Sequence, residues 1–302
     1  MRYLLATTIA LNGFAGPALA ATTFDNGLAN ELAGQHGQVI VTNGTTLLTL
    51  AGSSATGGNG EPGLTLDEDS RVTLENTVIQ GGRNDFGILG DTGTLRVISG
   101  DVIGGDAGTG FAARAGEGIF ATFTDVTIEG GTVTGGNGAD SGFGSSLQGA
   151  AAFSLSSGSF QISGGSFSAG TTTGGFGPLA VVAINQSNGS ISGGTFNGDA
   201  DANVLNLTGS FDPDADVQAM ISISGGTFPA GGDWTILGNI VVNVFGSDLD
   251  ITDNNLTGTL ADGTPLDVEL NLSSGGTVNL VPEPTSLALL GLGGLLVARR
   301  RA

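Results

Sequence analysis

Cysteine and lysine are both absent from the 302 residues, and histidine occurs once. Without cysteine the chain has no disulfide framework and no thiolate metal site. Without lysine it has no phosphate-binding loop of the Walker type. The eight basic residues are all arginines, against 28 acidic residues, and the formal net charge is −20. This balance excludes nucleic acid as a partner, because affinity for phosphates depends on Lys and Arg.

Residues that typically carry catalysis are sparse. His36 lies in GQHGQ with no serine or cysteine nucleophile motif around it, which is typical of a solvated turn. Asp199 and Asp201, or Asp248 and Asp250, could supply the carboxylate pair of a glycosidase, but aspartates two apart are also common turn formers. We therefore expect a protein that is not an enzyme, with a secreted β-helix glycosidase or lyase as the alternative.

Calcium is the one cofactor for which the sequence offers candidate ligands, because calcium binds several oxygens. Aspartates occupy every second position at Asp212, Asp214 and Asp216. A second, weaker group is Asp199, Asp201 and Asn203. The first group lacks the glycine and closing glutamate of an EF-hand, and a solvated acidic loop explains both groups better than a calcium site does. We expect no bound cofactor, with a calcium-dependent glycan binder as a minor alternative.

The hexapeptide ISGGTF occurs twice, at Ile191–Phe196 and Ile223–Phe228, and related segments begin at Ile128 and Ile162. VISGDV, with Ile98, fits ahead of them. A recurrence every thirty residues or so indicates a repeat architecture. The segments are dense in Gly, Thr, Ser, Val and Ile, which favour strands and turns over helices. The sequence predicts an all-β, right-handed parallel β-helix.

The glycine pair of each hexapeptide has a physical role in this prediction. In an unbroken strand Ile191 and Phe196 are five positions apart and would point to opposite faces. A corner at Gly193-Gly194 resets the alternation, so that both side chains point inward. Stacked turns would then place Ile over Ile and Phe over Phe. An ice-binding face needs Thr-x-Thr on successive turns, whereas each exact copy offers one threonine, Thr195 or Thr227.

Both ends of the solenoid need caps, because they expose strand edges. Leu256–Leu260 and Pro265–Leu272 flank an Asp262-Gly263 turn, which predicts an antiparallel hairpin. We assign residues 247–280 to a C-terminal cap, and the residues around His36 to a cap at the other end.

The two termini have the composition of export signals. Residues 1–20 begin with one arginine, continue with a short apolar stretch and end in Ala18-Leu19-Ala20, which predicts signal-peptide cleavage before Ala21. At the other end, residues 286–298 carry no charge and are followed by three arginines. Thirteen residues are fewer than the roughly 20 that span a bilayer, so they predict a short helix with transient membrane insertion.

The C-terminal tail resembles the PEP-CTERM sorting signal of exported bacterial proteins. The resemblance rests on Pro282, Glu283, Pro284, the short apolar segment and Arg299, Arg300 and Arg301. It implies recognition by exosortase, a membrane-embedded transpeptidase-like enzyme, removal of the tail near the motif and delivery to the cell surface or an exopolysaccharide matrix.

The sequence thus predicts four segments: a signal peptide (1–20), a β-helix body (21–246), capping strands (247–280) and a sorting signal (281–302). We expect a structural or adhesive protein of the surface or matrix, processed by signal peptidase and exosortase, with exopolysaccharide as its candidate partner.

Overall fold

The structure is a computed structural model, and it describes residues 19–43, 47–108, 114–139, 149–171, 180–198, 203–211, 218–273 and 275–283. Its regular elements are strands: 27 of them join in one sheet, and most pairs are parallel. Within the described residues there is no helix, and thus none long and apolar enough to cross a membrane. The predicted apolar helix at 286–298 lies outside them.

The strands fall into three ladders that the chain visits in turn. The first ladder contains β1 (Thr22–Phe24), β4 (Val39–Val41), β7 (Leu64–Leu66), β10 (Ile88–Gly90), β13 (Ile119–Thr122), β16 (Phe153–Ser156), β19 (Val182–Asn185), β21 (Asn203–Thr208), β23 (Gly232–Leu237) and β26 (Pro265–Ser273). The second contains β2 (Ala29–Leu32), β5 (Leu47–Ala51), β8 (Arg71–Glu75), β11 (Gly93–Val97), β14 (Thr124–Ile128), β17 (Ser159–Ile162), β20 (Asn188–Asn197), β22 (Ala219–Thr227), β24 (Ile240–Thr252) and β27 (Thr277–Pro282).

The third ladder contains β3 (Gln35–His36), β6 (Ser54–Thr56), β9 (Thr77–Gln80), β12 (Gly100–Ile103), β15 (Thr132–Thr134), β18 (Ser166–Ser168) and the C-terminal parts of β20 and β22. From β1 to β17 each strand pairs in parallel with the strand three positions later. Each set of three consecutive strands therefore lies against the next set along one axis.

One column of branched side chains runs through the second ladder. Its members, in register from one strand to the next, are Leu32, Leu50, Leu74, Val97, Ile128, Ile162, Ile191, Ile223, Val244 and Leu280. All are buried except Leu280, which is partly buried against the core. The predicted stacking of Ile128, Ile162, Ile191 and Ile223 is confirmed. Ile98 was placed wrongly: Val97 pairs with Ile128, and Ile98 lies one position outside the column.

The third ladder carries the matching column of phenylalanines. Val133 pairs with Phe167 and Phe167 with Phe196, and their neighbour Phe228 stacks on Phe196. Trp234 makes a T-shaped contact with Phe228, with the two ring centroids 5.0 Å apart. Ile191 and Phe196 are both buried, as the glycine-corner argument predicts.

The second glycine of each pair has the backbone conformation that makes this corner. Gly131, Gly165, Gly194 and Gly226 have φ angles of 84°, 94°, 100° and 113°, which other residues rarely adopt. Gly100 shares this conformation at 111° and lies beside Gly131. A single glycine in VISGDV thus aligns with the second member of the later pairs, which explains why Ile98 falls one position outside the column.

The C-terminal hairpin is confirmed. β25 (Asn255–Leu260) pairs antiparallel with β26 and with the end of β24. The turn between β25 and β26 lies at the end of the third ladder. There the Asp262 carboxylate accepts a hydrogen bond from Gly226 N–H at 2.8 Å. The segment 247–280 is not antiparallel throughout, because β26 and β27 also extend the parallel ladders. At the other end, β3 with His36 belongs to the first set of strands and pairs with β6.

Candidate functional site

The single histidine borders a groove at the N-terminal end. His36 Nε2 lies 3.0 Å from the carbonyl oxygen of Ala33, and the ring borders the groove together with Ser54 and Glu61. Leu19 forms another part of its wall. Since Leu19 precedes the predicted cleavage before Ala21, the groove as described belongs to the precursor.

Of the candidate carboxylates, Asp248 and Asp250 lie within the described ranges. Asp248 and Asp250 are exposed at the end of β24, where Asp248 has a φ of 52° and the Asp250 carboxylate accepts a hydrogen bond from Thr252 Oγ1 at 2.7 Å. Across the described ranges no three His, Asp or Glu side chains converge on a metal position. The calcium candidates Asp212, Asp214 and Asp216, like Asp199 and Asp201, lie outside those ranges, and Asn203 begins β21.

Glu117 is a carboxyl group that sequence reasoning missed. It precedes β13 between Gly116 and Gly118 and is half-buried. Burial raises the pKa of Glu117, and this effect outweighs a backbone hydrogen bond and the charge of Arg114, which act in the opposite direction. The side chain therefore keeps its proton to a higher pH than an exposed glutamate does. An acidic residue enclosed by two glycines just before a strand was the available signal.

The outward residues of the third ladder form an uncharged polar surface across four sets of strands. We call it the hydroxyl face; its members are Thr132, Thr134, Ser166, Ser168, Thr195, Asn197 and Thr227. Register pairs run from Thr132 through Ser166 and Thr195 to Thr227. All members are exposed or half-buried, while the residues between them, such as Phe167, are buried.

Side chains of the hydroxyl face bond to one another along the axis. Asn197 Nδ2 donates to Ser166 Oγ at 2.8 Å and to Ser168 Oγ at 3.2 Å. Thr132 Oγ1 donates to the carboxylate of Asp101, which is its neighbour one set earlier. Sequence reasoning counted one threonine per hexapeptide and missed that the residue two positions later also faces outward. Thr-x-Thr occurs here once, at Thr132 and Thr134, followed by Ser-x-Ser.

Charges pair on the outer side of the second ladder. The Arg96 guanidinium contacts the Glu129 carboxylate through two hydrogen bonds, 2.8 Å and 3.0 Å long. The hydrogen bond to Glu129 and its charge raise the pKa of Arg96. Both side chains are solvent-exposed to a large extent, so this ion pair contributes little to stability.

Among the described strands the widest separations in sequence follow the third ladder. Residues 104–118 separate β12 from β13, residues 135–152 separate β15 from β16 and residues 169–181 separate β18 from β19, and each segment includes residues outside the described ranges. Gly105, Gly136 and Gly170 lie near their starts, and Gly82 has the same position after β9. A Cβ on Gly105, Gly136 or Gly170 would clash with the carbonyl oxygen of the glycine before it in this series. This column of glycines thus lies where the chain leaves the third ladder in successive sets of strands.

The processing residues lie at the two ends of the described chain. Ala20 is exposed ahead of β1, and Ala18 lies outside the described ranges. Pro282 is the last residue of β27, where it pairs with Gly246, and Glu283 N–H donates to the carbonyl oxygen of Gly246 at 3.0 Å. Pro284 and Arg299, Arg300 and Arg301 lie beyond the last described residue.

Comparison with known proteins identifies this end of the chain. Residues 280–302 match the family model of the PEP-CTERM protein-sorting motif. No curated protein and no solved structure matches the chain. The match covers the Pro-Glu-Pro segment, the apolar segment and the terminal arginines in order. Residues 280–302 therefore carry a PEP-CTERM protein-sorting motif, which implies an exported protein that is processed by exosortase.

Proposed function

We propose that this protein is a non-enzymatic structural or adhesive component of the cell surface or the extracellular polysaccharide matrix. Its body would be a right-handed parallel β-helix of residues 21–246, followed by the capping strands 247–280. The observation that carries the proposal is the in-register column from Leu32 to Leu280, which extends through the whole body and ends in the strand that bears the sorting motif.

The strand order supports the helical architecture. From β1 to β16 the chain returns to the first ladder after every three short strands, and each returning strand pairs in parallel with the preceding strand of that ladder. Crossovers between parallel strands are right-handed in nearly all proteins, which gives the proposed handedness. A stack of this kind is long and continuous, so it suits a spacer or scaffold.

The hydroxyl face is the proposed contact with polysaccharide. Its seven members carry no charge, in a chain whose net charge is −20. Hydroxyl and amide groups both donate and accept hydrogen bonds, as the hydroxyls of a neutral sugar do. An acidic polysaccharide would be repelled by the acidic body unless a divalent cation bridged the two. The partner that fits best is therefore a neutral exopolysaccharide.

Incubation with a panel of polysaccharides, with and without calcium, tests this function. Mature protein should co-sediment with a neutral polymer and release no new reducing ends and no unsaturated products. Such products would overturn the proposal in favour of the glycosidase or lyase alternative. Co-sedimentation with acidic polymers that depends on calcium would favour the calcium-dependent binder instead.

A pair of matched variants locates the contact surface. Thr195→Glu adds one negative charge at the centre of the hydroxyl face, and Gln161→Glu adds the same charge at an exposed position of the second ladder. We expect T195E to reduce co-sedimentation several-fold and Q161E to leave it unchanged. Equal effects of the two variants would show that the hydroxyl face is not the binding surface.

Export is tested at the N-terminus. We propose that signal peptidase cuts after Ala20 and that the tail anchors the chain transiently in the inner membrane before its removal. Mass spectrometry of the surface or matrix fraction should then find an N-terminus at Ala21. A chain that retains residues 1–20 in that fraction would contradict this part of the proposal.

A further inference from the structure

The first residues of the sorting motif are part of the sheet. Register pairs join β27 to β24 from Thr277–Val241 to Pro282–Gly246, and Glu283 N–H extends the pairing by one more hydrogen bond. Val278 and Leu280 of the same strand pack against the hydrophobic core. The backbone up to the amide of Glu283 is thus held by the body.

Pro282 suits the position that it occupies. Proline has no N–H to donate, so within sheets it is confined to edge strands and strand ends. Among the described strands β27 pairs with β24 and with no second strand, and Pro282 is its last residue. The proline ends the strand, and it also hinders addition of a further strand from another chain.

Peptide bonds in a paired strand are poor substrates, because cleaving enzymes act on backbone that is exposed and free of such hydrogen bonds. Access to a bond within β27 would require local opening of the strand, which separates Leu280 from the core. Cutting beyond Glu283 breaks no bond within β27 and needs no opening of that strand.

We propose that exosortase cuts C-terminal to Glu283, and that the mature protein keeps Val281, Pro282 and Glu283 on the edge of β24. The cut breaks one peptide C–N bond. The acyl carbon on the body side passes to water or to an amine acceptor, and the released tail keeps the nitrogen as a free amine. This inference rests on the proposed processing and does not depend on polysaccharide binding.

Intact-mass measurement and C-terminal peptide mapping of protein recovered from exosortase-containing cells test the inference. Every mature C-terminus should include Glu283. A C-terminus at Pro282 or earlier would overturn the proposal. A chain that still ends at Ala302 would overturn processing itself, and this inference with it, while leaving the polysaccharide assays to decide the function of the body.

Two variants test whether strand pairing sets the position of the cut. Leu280→Asp places a charge on the inward face of β27 and should detach the strand, so that cleavage spreads to positions before Glu283. Asn279→Asp adds the same charge on the outward face and should leave the C-terminus unchanged. Hydrogen exchange of the Glu283 amide in each uncut chain reports whether the strand has opened. An opened strand with an unchanged cut would contradict the proposal.

Discussion

The rings of Phe196 and Phe228 stack face to face, with their centroids 4.7 Å apart and 3° between their planes. The two residues end the two exact copies of ISGGTF. Phe167 continues the stack on the other side of Phe196 at 5.1 Å. Identical letters in the sequence thus become identical positions along one axis.

Replacement of the central ring should be costly. Phe196→Ala leaves a cavity between Phe167 and Phe228, and we expect a loss of about 3–5 kcal/mol in the free energy of unfolding. Thr195→Ala changes the exposed neighbour and should cost less than about 0.5 kcal/mol. Denaturant unfolding of both variants measures the difference. Similar losses would mean that the aromatic stack does not hold the body together.

The glycine column at the third corner should tolerate no side chain. In Gly105→Ala the new Cβ would clash with the carbonyl oxygen of Gly82, and we expect a loss of about 3 kcal/mol or failure to fold. Gly52→Ala is the matched change, because Gly52 has a φ of 60° and open space around it. It should lose about 1–2 kcal/mol through backbone strain alone. The account predicts the greater loss for Gly105→Ala; the reverse order in thermal unfolding would refute close packing at this corner.

Asp262 should make the cap sensitive to acid. Burial alone would raise the pKa of Asp262, but hydrogen bonds from Gly226 and Thr264 outweigh it and lower the pKa. The ionised form is favoured in the folded state, so its contribution is present above the ordinary carboxyl pKa of about 4 and is lost as the pH falls through the folded value.

We expect Asp262→Asn to cost about 1 kcal/mol at neutral pH, because the carboxylate is exposed to solvent and its bonds are weakened accordingly. The difference in the free energy of unfolding between this variant and the wild type should narrow below about pH 4. Glu269→Gln removes one charge from the same hairpin without touching these bonds. A gap that stays constant with pH would contradict the predicted role of the carboxylate.

The contribution of Glu117 to stability should depend on pH in the opposite direction. Burial raises the pKa of Glu117, so the protonated form contributes stability below the ordinary pKa of about 4.3, and this contribution is lost as the pH rises through the folded value. The free energy of unfolding of Glu117→Gln, relative to that of the wild type, should therefore increase as the pH rises from acidic to neutral. Glu75→Gln removes the same charge from an exposed position and controls for net charge. A larger gain in Glu75→Gln than in Glu117→Gln would contradict the effect of burial.

The sequence predicted the column through Ile162, Ile191 and Ile223 because a glycine corner and an alternating pattern leave one arrangement that buries both Ile and Phe. It also predicted the hairpin at Asp262-Gly263, where the turn residues have a known geometry. Both predictions rest on local rules that the rest of the chain does not override.

Two features of the structure cannot be predicted from such local rules. The sets of strands before Val97 are shorter, since Leu50, Leu74 and Val97 are separated by 24 and 23 residues, so a repeat of about thirty does not find them. The hydroxyl face could not be predicted either, because Thr195 and Asn197 form such a surface only together with Ser166 and Ser168 on the neighbouring strand. Such a surface is formed by residues about thirty positions apart, and only the register reveals it.

The central claim is that successive turns stack in register, and engineered disulfides test it most directly because the chain has no cysteine of its own. Ser190 and Ser222 are outward register partners on neighbouring strands, and Asn243 lies one strand further. Neighbouring strands are about 4.8 Å apart, within the Cα separation that a disulfide bridges, whereas two strand spacings exceed it. The account predicts that monomeric S190C/S222C forms an intrachain disulfide under mild oxidation, as detected by mass spectrometry, and that S190C/N243C does not; the opposite result would contradict it.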